Sequence, residues 1–186
     1  MTQSELYESL NYVNHSREKR LEMAQIISQN SDLIAPLITI AFTVDDPISS
    51  KACWVMEFTA KENLPYIFPY LAIFTSNIST VHLDSSVRPM AKICEYLMTA
   101  YFSKTPNKTQ EHLSKEHLEQ ITATCFDWLI GNQKVAAQAY SMTCLLLLGR
   151  KFDWILPELK MILEKNYAHG SAAYKARARL TLAKIK

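Results

Sequence analysis

Four residues of this chain have types and spacing that chemistry could use: Asn77, His82, Asp84 and Arg88. A histidine two places from an aspartate can serve as a general base with an orienting carboxylate. The same four lie in or beside a turn between apolar runs. There, Asp84 or Ser85 more simply caps the next helix, and Arg88 pairs with an acid one turn away. No catalytic residue is therefore assigned, and His82, Asp84 and Arg88 stand as candidate partner-binding residues. The other histidines, His15, His112, His117 and His169, are dispersed. His15 and Glu18 face each other across a turn, but no pair has HExxH spacing, so no metal site is expected.

Cys53, Cys94, Cys125 and Cys144 sit singly in apolar stretches. That is neither zinc-ligand spacing nor a disulfide framework, and buried thiols in a reducing cytosol are expected. With only 3 glycines, the chain lacks the tight phosphate turns of a nucleotide-binding α/β protein, and no cofactor is expected. The tryptophans Trp54, Trp128 and Trp154 lie in or next to apolar helix stripes, where core packing is the plain reading. A rim tryptophan beside basic residues would instead be a hot spot or a base-stacking site. Trp54, Tyr66 and Tyr70 join the candidate partner-binding residues, on the expectation of a continuous exposed apolar patch beside them. Phe126-Asp127-Trp128 and Phe152-Asp153-Trp154 place a capping or surface aspartate between two rings meant for the interior.

Charge is unevenly spread. Residues 1–93 carry 7 basic and 10 acidic side chains (7 − 10 = −3), whereas residues 94–186 carry 13 and 8 (13 − 8 = +5). Lys165 to Lys186 contributes six basic residues and no acid, which makes the tail the strongest electrostatic feature. Lys175, Arg177, Arg179 and Lys184 are the candidate anion-binding residues. Lys175 and Arg179 share a helix face and Arg177 points away from it. A polar terminal repeat that keeps a solenoid soluble accounts for the same residues. Arg17, Lys19 and Arg20 form a smaller basic patch, diluted by Glu18 and Glu22.

The elements that must position these residues are helical. Periodicity of 3.6 covers roughly 4–12, 15–29, 32–43, 47–61, 64–78, 86–102, 112–130, 133–148, 153–165 and 171–185. Asp46-Pro47 is a well-formed start, and Ser31, Ser114 and Asn132 are positioned to cap their own helices. The polar stretch 103–110 lacks periodicity and reads as the one substantial loop. Alternating patterns are scarce, so no sheet is expected. A length of 186 residues suits one domain over 1–186 or one short solenoid. Neither a basic-then-apolar leader nor a membrane-length apolar run is present, so the chain is expected in the cytoplasm, without a membrane partner.

Two internal signatures recur. Leu33-Ile-Ala-Pro36, Tyr66-Ile-Phe-Pro69 and Trp154-Ile-Leu-Pro157 share one pattern, the first two copies 33 residues apart. Ile48 and Ala52, Val87 and Ala91, Val135 and Ala139, and Ala172 and Ala176 each set a small residue four places before an alanine. Such alanines let neighbouring helices approach closely. The two signatures alternate, which suggests helix pairs stacked by nearest-neighbour contacts.

With Ser86-Val87-Arg88-Pro89-Met90-Ala91 as its closest motif, the chain resembles the HEAT and armadillo class. That resemblance implies an all-α fold, a short right-handed α-α superhelix of about ten helices. The arginine position is Ser49 in one copy and Ala136 in another, so no regular arginine ladder is expected. The chain also resembles a group of small bacterial proteins that carry the label adenylosuccinate lyase. The resemblance rests on Asn14–Arg20, Lys51–Glu57, Val81–Met90 and Ala173–Arg179. The lyase superfamily signature, a mobile loop bearing glycine, serine, methionine and lysine, has no counterpart, so no lyase residue is carried over. The expected function is a non-catalytic protein-interaction or scaffold module. The alternative is a nucleic-acid-binding protein similar to HEAT-like DNA glycosylases, using the basic C-terminal half, and an enzyme of other chemistry ranks below both.

Overall fold

The computed structural model describes residues 1–185; Lys186, the last residue of the basic tail, lies outside them. Among the described residues there are eleven α-helices and no strand. They are α1 (Gln3–Ser9), α2 (Arg17–Gln29), α3 (Ile34–Ala41), α4 (Pro47–Glu62), α5 (Leu71–Asn77), α6 (Asp84–Tyr101), α7 (Lys108–His112), α8 (Lys115–Ile130), α9 (Val135–Leu148), α10 (Ile155–Tyr167) and α11 (Ala172–Leu182). The expected all-α class holds.

Local chemistry sets most helix starts. Asp46 accepts from the Ile48 amide and Pro47 opens α4, while Ser114 caps α8 in a reciprocal pair with His117. Two expected caps are absent. Ser31 lies inside a 3-10 turn, Ser31–Leu33, that runs straight into α3, and α9 starts after Lys134 without a side-chain cap, leaving Asn132 outside. Asp84 and Ser85 do not cap α6 either, because the helix begins at Asp84 and Leu83 holds the cap position. The stretch 103–110 is not wholly a loop. Asn107 and Gln110 form a capping box that opens the five-residue α7.

The prolines fall where the chain can spare an amide. Pro36 and Pro157 occupy the first turns of α3 and α10, and Pro65 and Pro69 hold Leu64–Tyr70 in a 3-10 helix before α5. Pro89 differs, since it stands inside α6 and leaves the Ser85 carbonyl without its i+4 donor. The Trp54 indole N–H donates to that carbonyl at 2.7 Å, so a side chain of α4 completes the backbone of α6.

Packing arranges the helices in two rows. In one, α2, α4, α6, α9 and α11 each contact the next; in the other, α3, Leu64–Tyr70, α8 and α10 back onto the first, with α1 against α3 and α5 against α8. The alanine signature falls on α4, α6, α9 and α11, all in one row, and the proline signature on α3, Leu64–Tyr70 and α10, all in the other. The alanine register holds only in part. Ala52 and Ala91 are buried, but Ala139 is half-buried and Ala176 exposed, and Ala137 and Ala178 occupy the close contacts instead. One apolar core runs between the rows, and fully buried Phe74, Leu37, Met56, Ile93 and Leu145 belong to it. Each such side chain contributes about 1.5–3 kcal/mol relative to exposure. All four cysteines are buried and unpaired, as expected, and burial pushes the Cys53 thiol up to about 12.

Candidate functional site: the groove between α4 and α6

The row α2–α4–α6–α9–α11 carries charge where a packed helix would ordinarily be apolar. On α6, Ser85, Arg88, Lys92, Glu95, Tyr96 and Thr99 recur at three or four residues and therefore share one stripe. On α4 the facing stripe is Pro47, Ser50, Lys51, Trp54, Glu57 and Lys61. Cavities lie at both ends of this groove. One, of about 430 Å³, is bordered by Pro47, Lys51, Trp54 and Ser85 and adjoins a smaller one reaching Arg88. The other, of about 650 Å³, lies between Lys61 and Leu64 on one side and Lys92, Tyr96 and Thr99 on the other.

An ion pair braces the middle. Glu57, only 7 % exposed, accepts two hydrogen bonds from Arg88, at 3.2 and 2.5 Å. Burial opposes the Arg88 charge, but the Glu57 carboxylate more than offsets it, and the Arg88 pKa lies above its ordinary value. Removing either partner leaves a charge in a poorly hydrated place, at a cost of about 3 kcal/mol. Beside this pair, the Ser50 and Ser86 hydroxyls bond across the same helices at 2.8 Å.

The braced charges continue along the row. Lys92 binds Glu95 and lies over the rings of Tyr140, at 4.5 Å, and Tyr96, at 5.0 Å. Burial works against the Lys92 charge and Glu95 outweighs it, raising its pKa. Arg177 of α11 reaches Thr143 of α9 and approaches Glu95 to 3.6 Å. At the other end, Arg20 of α2 donates to the Ser16 and His15 carbonyls and lies over Phe58, at 5.2 Å, and Trp54, at 5.8 Å. Burial first, and the nearby Arg88 second, pull the Arg20 pKa below its ordinary value. Five helices thus contribute to one band of cations, carboxylates and rings.

The sequence candidates are only partly brought together. Trp54, Asp84 and Arg88 border one cavity. His82 is directed elsewhere, its ring 3.4 Å from Asp45, and Asp84 pairs with Lys134 at 3.5 Å. The expected His82–Asp84 dyad is not formed, and the acid that Arg88 meets is Glu57 on α4 instead of one a turn away. Trp54 is 8 % exposed, so it packs instead of projecting from a rim. Tyr66 and Tyr70 are half-buried on the other row, Tyr66 donating to the Ser28 carbonyl. Asn77 bonds within its own helix. Of the tail residues, Arg177 turns into the band while Arg179 borders a separate cavity with Glu164 and Tyr167, and Lys184 is exposed.

The rings of the two Phe-Asp-Trp motifs do not all reach the interior. Trp154 is 56 % exposed and stacks on Phe126 at 5.6 Å. Sequence reasoning missed Glu57, Lys92, Glu95 and Tyr140 altogether. The signal available was a run of charged residues at helical spacing inside otherwise apolar helices. No described helix is long and apolar enough to cross a membrane. Comparison with protein-family models, with curated proteins and with solved structures finds no match to this chain.

Proposed function

We propose that this chain is a short α-solenoid of the HEAT and armadillo kind, acting as a non-catalytic protein-interaction module. The α4–α6 groove is its docking face. The occupant is an extended, acidic segment of another protein. The observation that carries this reading is the band of cations held beside aromatic rings along one row of helices. Arg20, Arg88, Lys92 and Arg177 are each fixed by a neighbouring carbonyl or carboxylate before any partner arrives. Preorganised side chains of this kind lose little entropy on binding. Lys51 and Lys61 flank the groove and extend its positive edge. Four buried, unpaired thiols support a reducing compartment.

The nucleic-acid reading draws less support. The band interleaves its cations with the carboxylates Glu57 and Glu95, which repel the continuous charge of a phosphate backbone, whereas a polypeptide segment can meet the band with charges at discrete positions. Capture from native cytosolic lysate, with and without nuclease, tests the proposal. The expected result is a stoichiometric protein that survives nuclease with the native chain and is lost from Lys51→Glu/Lys61→Glu. A partner that vanishes with nuclease would overturn the protein reading in favour of nucleic acid.

A further inference from the structure

The cavity where α2, α4 and α6 meet has a charge balance that selects a ligand. It measures about 260 Å³ and is bordered by His15, Arg20, Trp54, Asp84, Ser85, Arg88 and Lys134, with the His15 ring 4.9 Å from that of Trp54. Three cations, Arg20, Arg88 and Lys134, border it with one carboxylate, Asp84, and Glu57, outside the lining but bonded to Arg88, brings the balance to one positive charge (3 − 2 = +1). The adjoining cavity adds Lys51 and Asp45, which cancel. Glu57 engages Arg88 with both oxygens, and Asp84 stands by Lys134. The unmatched charge therefore belongs to Arg20.

Among the described residues no carboxylate lies within salt-bridge distance of Arg20, whose hydrogen-bond acceptors are the Ser16 and His15 carbonyls. Those bonds use Nε and Nη2 and leave Nη1 without an acceptor. The guanidinium is half-buried over two aromatic faces and near the like charge of Arg88, which the Glu57 carboxylate offsets only in part. An anion would relieve that repulsion. Ser85 adds a hydroxyl at the first turn of α6, whose cap position, Leu83, supplies no side-chain acceptor.

We propose that this cavity is a receptor for one carboxylate, an Asp or Glu side chain of the segment that occupies the α4–α6 groove. The assignment rests on the groove reading above and names the anchor within it. A monoanion neutralises the excess of one positive charge, whereas a phosphoryl dianion would leave negative charge beside Asp84 and Glu57. With Nε and one Nη2 hydrogen given to carbonyls, Nη1 and the second Nη2 hydrogen form the end-on fork that suits a planar carboxylate, and the half-buried setting strengthens the charge-assisted bonds.

The test is a titration of the full chain with N-acetylglutamate α-amide, which carries one carboxylate. Its neutral glutamine analogue and inorganic phosphate serve as comparisons at constant ionic strength. The readouts are the NMR signals of the Trp54 indole N–H, held on Ser85, and of Arg20 Nε. The expected result is a saturable shift with the glutamate probe in the millimolar range, about tenfold weaker in Arg20→Met. Arg20→Lys, which keeps the charge but not the fork, should fall between. The proposal is overturned by the absence of a saturable shift in the native chain, by equal binding of the glutamine analogue, or by tighter binding of phosphate. Should Arg20→Met not fold, Arg20→Lys decides, and unchanged affinity there contradicts the role given to the fork. The titration uses no partner, so its failure removes the carboxylate receptor alone. The groove reading stands or falls with capture by Lys51→Glu/Lys61→Glu.

Discussion

The α4–α6 groove and the α10–α11 end both carry basic residues, yet their charges are held differently. In the groove, Arg88 and Lys92 are covered by neighbouring helices and tied to Glu57 and Glu95. At the end, Arg179 and Lys184 are exposed, and Lys160 and Glu164 pair only along their own helix. The sequence places its greatest excess of charge at the end; the fold places its most constrained charge in the groove. What makes a charge specific is the helix packed across from it, because burial both raises the cost of an unmatched charge and fixes its direction. Arg177 shows the point within one helix. Two residues from Arg179, it turns into the band and meets Glu95 and Thr143.

The contrast can be broken most forcefully at the brace. Glu57→Gln or Arg88→Met should each lose about 3 kcal/mol. In thermal unfolding that is a fall of roughly 6–12 °C for a domain of this size. Arg179→Met and Lys184→Met should stay within about 0.5 kcal/mol of the native chain. Equal losses in both regions would erase the distinction.

The Trp54–Ser85 contact comes next in size. Trp54→Phe removes the bond to the Ser85 carbonyl, which borders open cavities, and should cost about 1.5 kcal/mol. Pro89→Ala restores a backbone N–H opposite that carbonyl, so it should recover stability in the Trp54→Phe background more than in the native chain. If the two substitutions simply add in denaturant unfolding, the tryptophan is filling space and not completing α6.

A smaller difference should separate the two arginines of α11. Arg177→Met loses its partly exposed contacts with Thr143 and Glu95 and should cost about 1 kcal/mol, against nearly nothing for Arg179→Met. Chemical denaturation of the pair resolves this. A larger loss at Arg179 would reverse the comparison at its own helix.

Much of the fold was legible because long helices advertise themselves twice, by apolar period and by cap. Asp46-Pro47 and Ser114 mark starts that the structure keeps. Helix α7 escaped because its five residues have no apolar stripe to read; Asn107 and Gln110 hold it by bonding back to the Ala100, Tyr101 and Ser103 carbonyls. The alanine register slipped in α9 and α11, where Ala137 and Ala178 were equally available and only packing could choose. The site was legible in fragments. Trp54, Asp84 and Arg88 could be named as polar or aromatic residues among apolar ones, but their partners lie 31 to 50 positions away, as with Arg88 and Glu57 (31 apart) or Asp84 and Lys134 (134 − 84 = 50). Nothing local in the chain encodes those pairings. Glu57 carries no local mark of its role, and only the packing of α6 against α4 makes it the centre of the groove.

On the proposed function, recognition resides in the groove and not at the basic end. This is tested most directly by capturing partners from nuclease-treated lysate with three proteins: the native chain, Lys51→Glu/Lys61→Glu, and Arg179→Glu/Lys184→Glu. The partner bound by the native chain should be lost with the groove pair and retained with the end pair. Loss with the end pair and retention with the groove pair would contradict it.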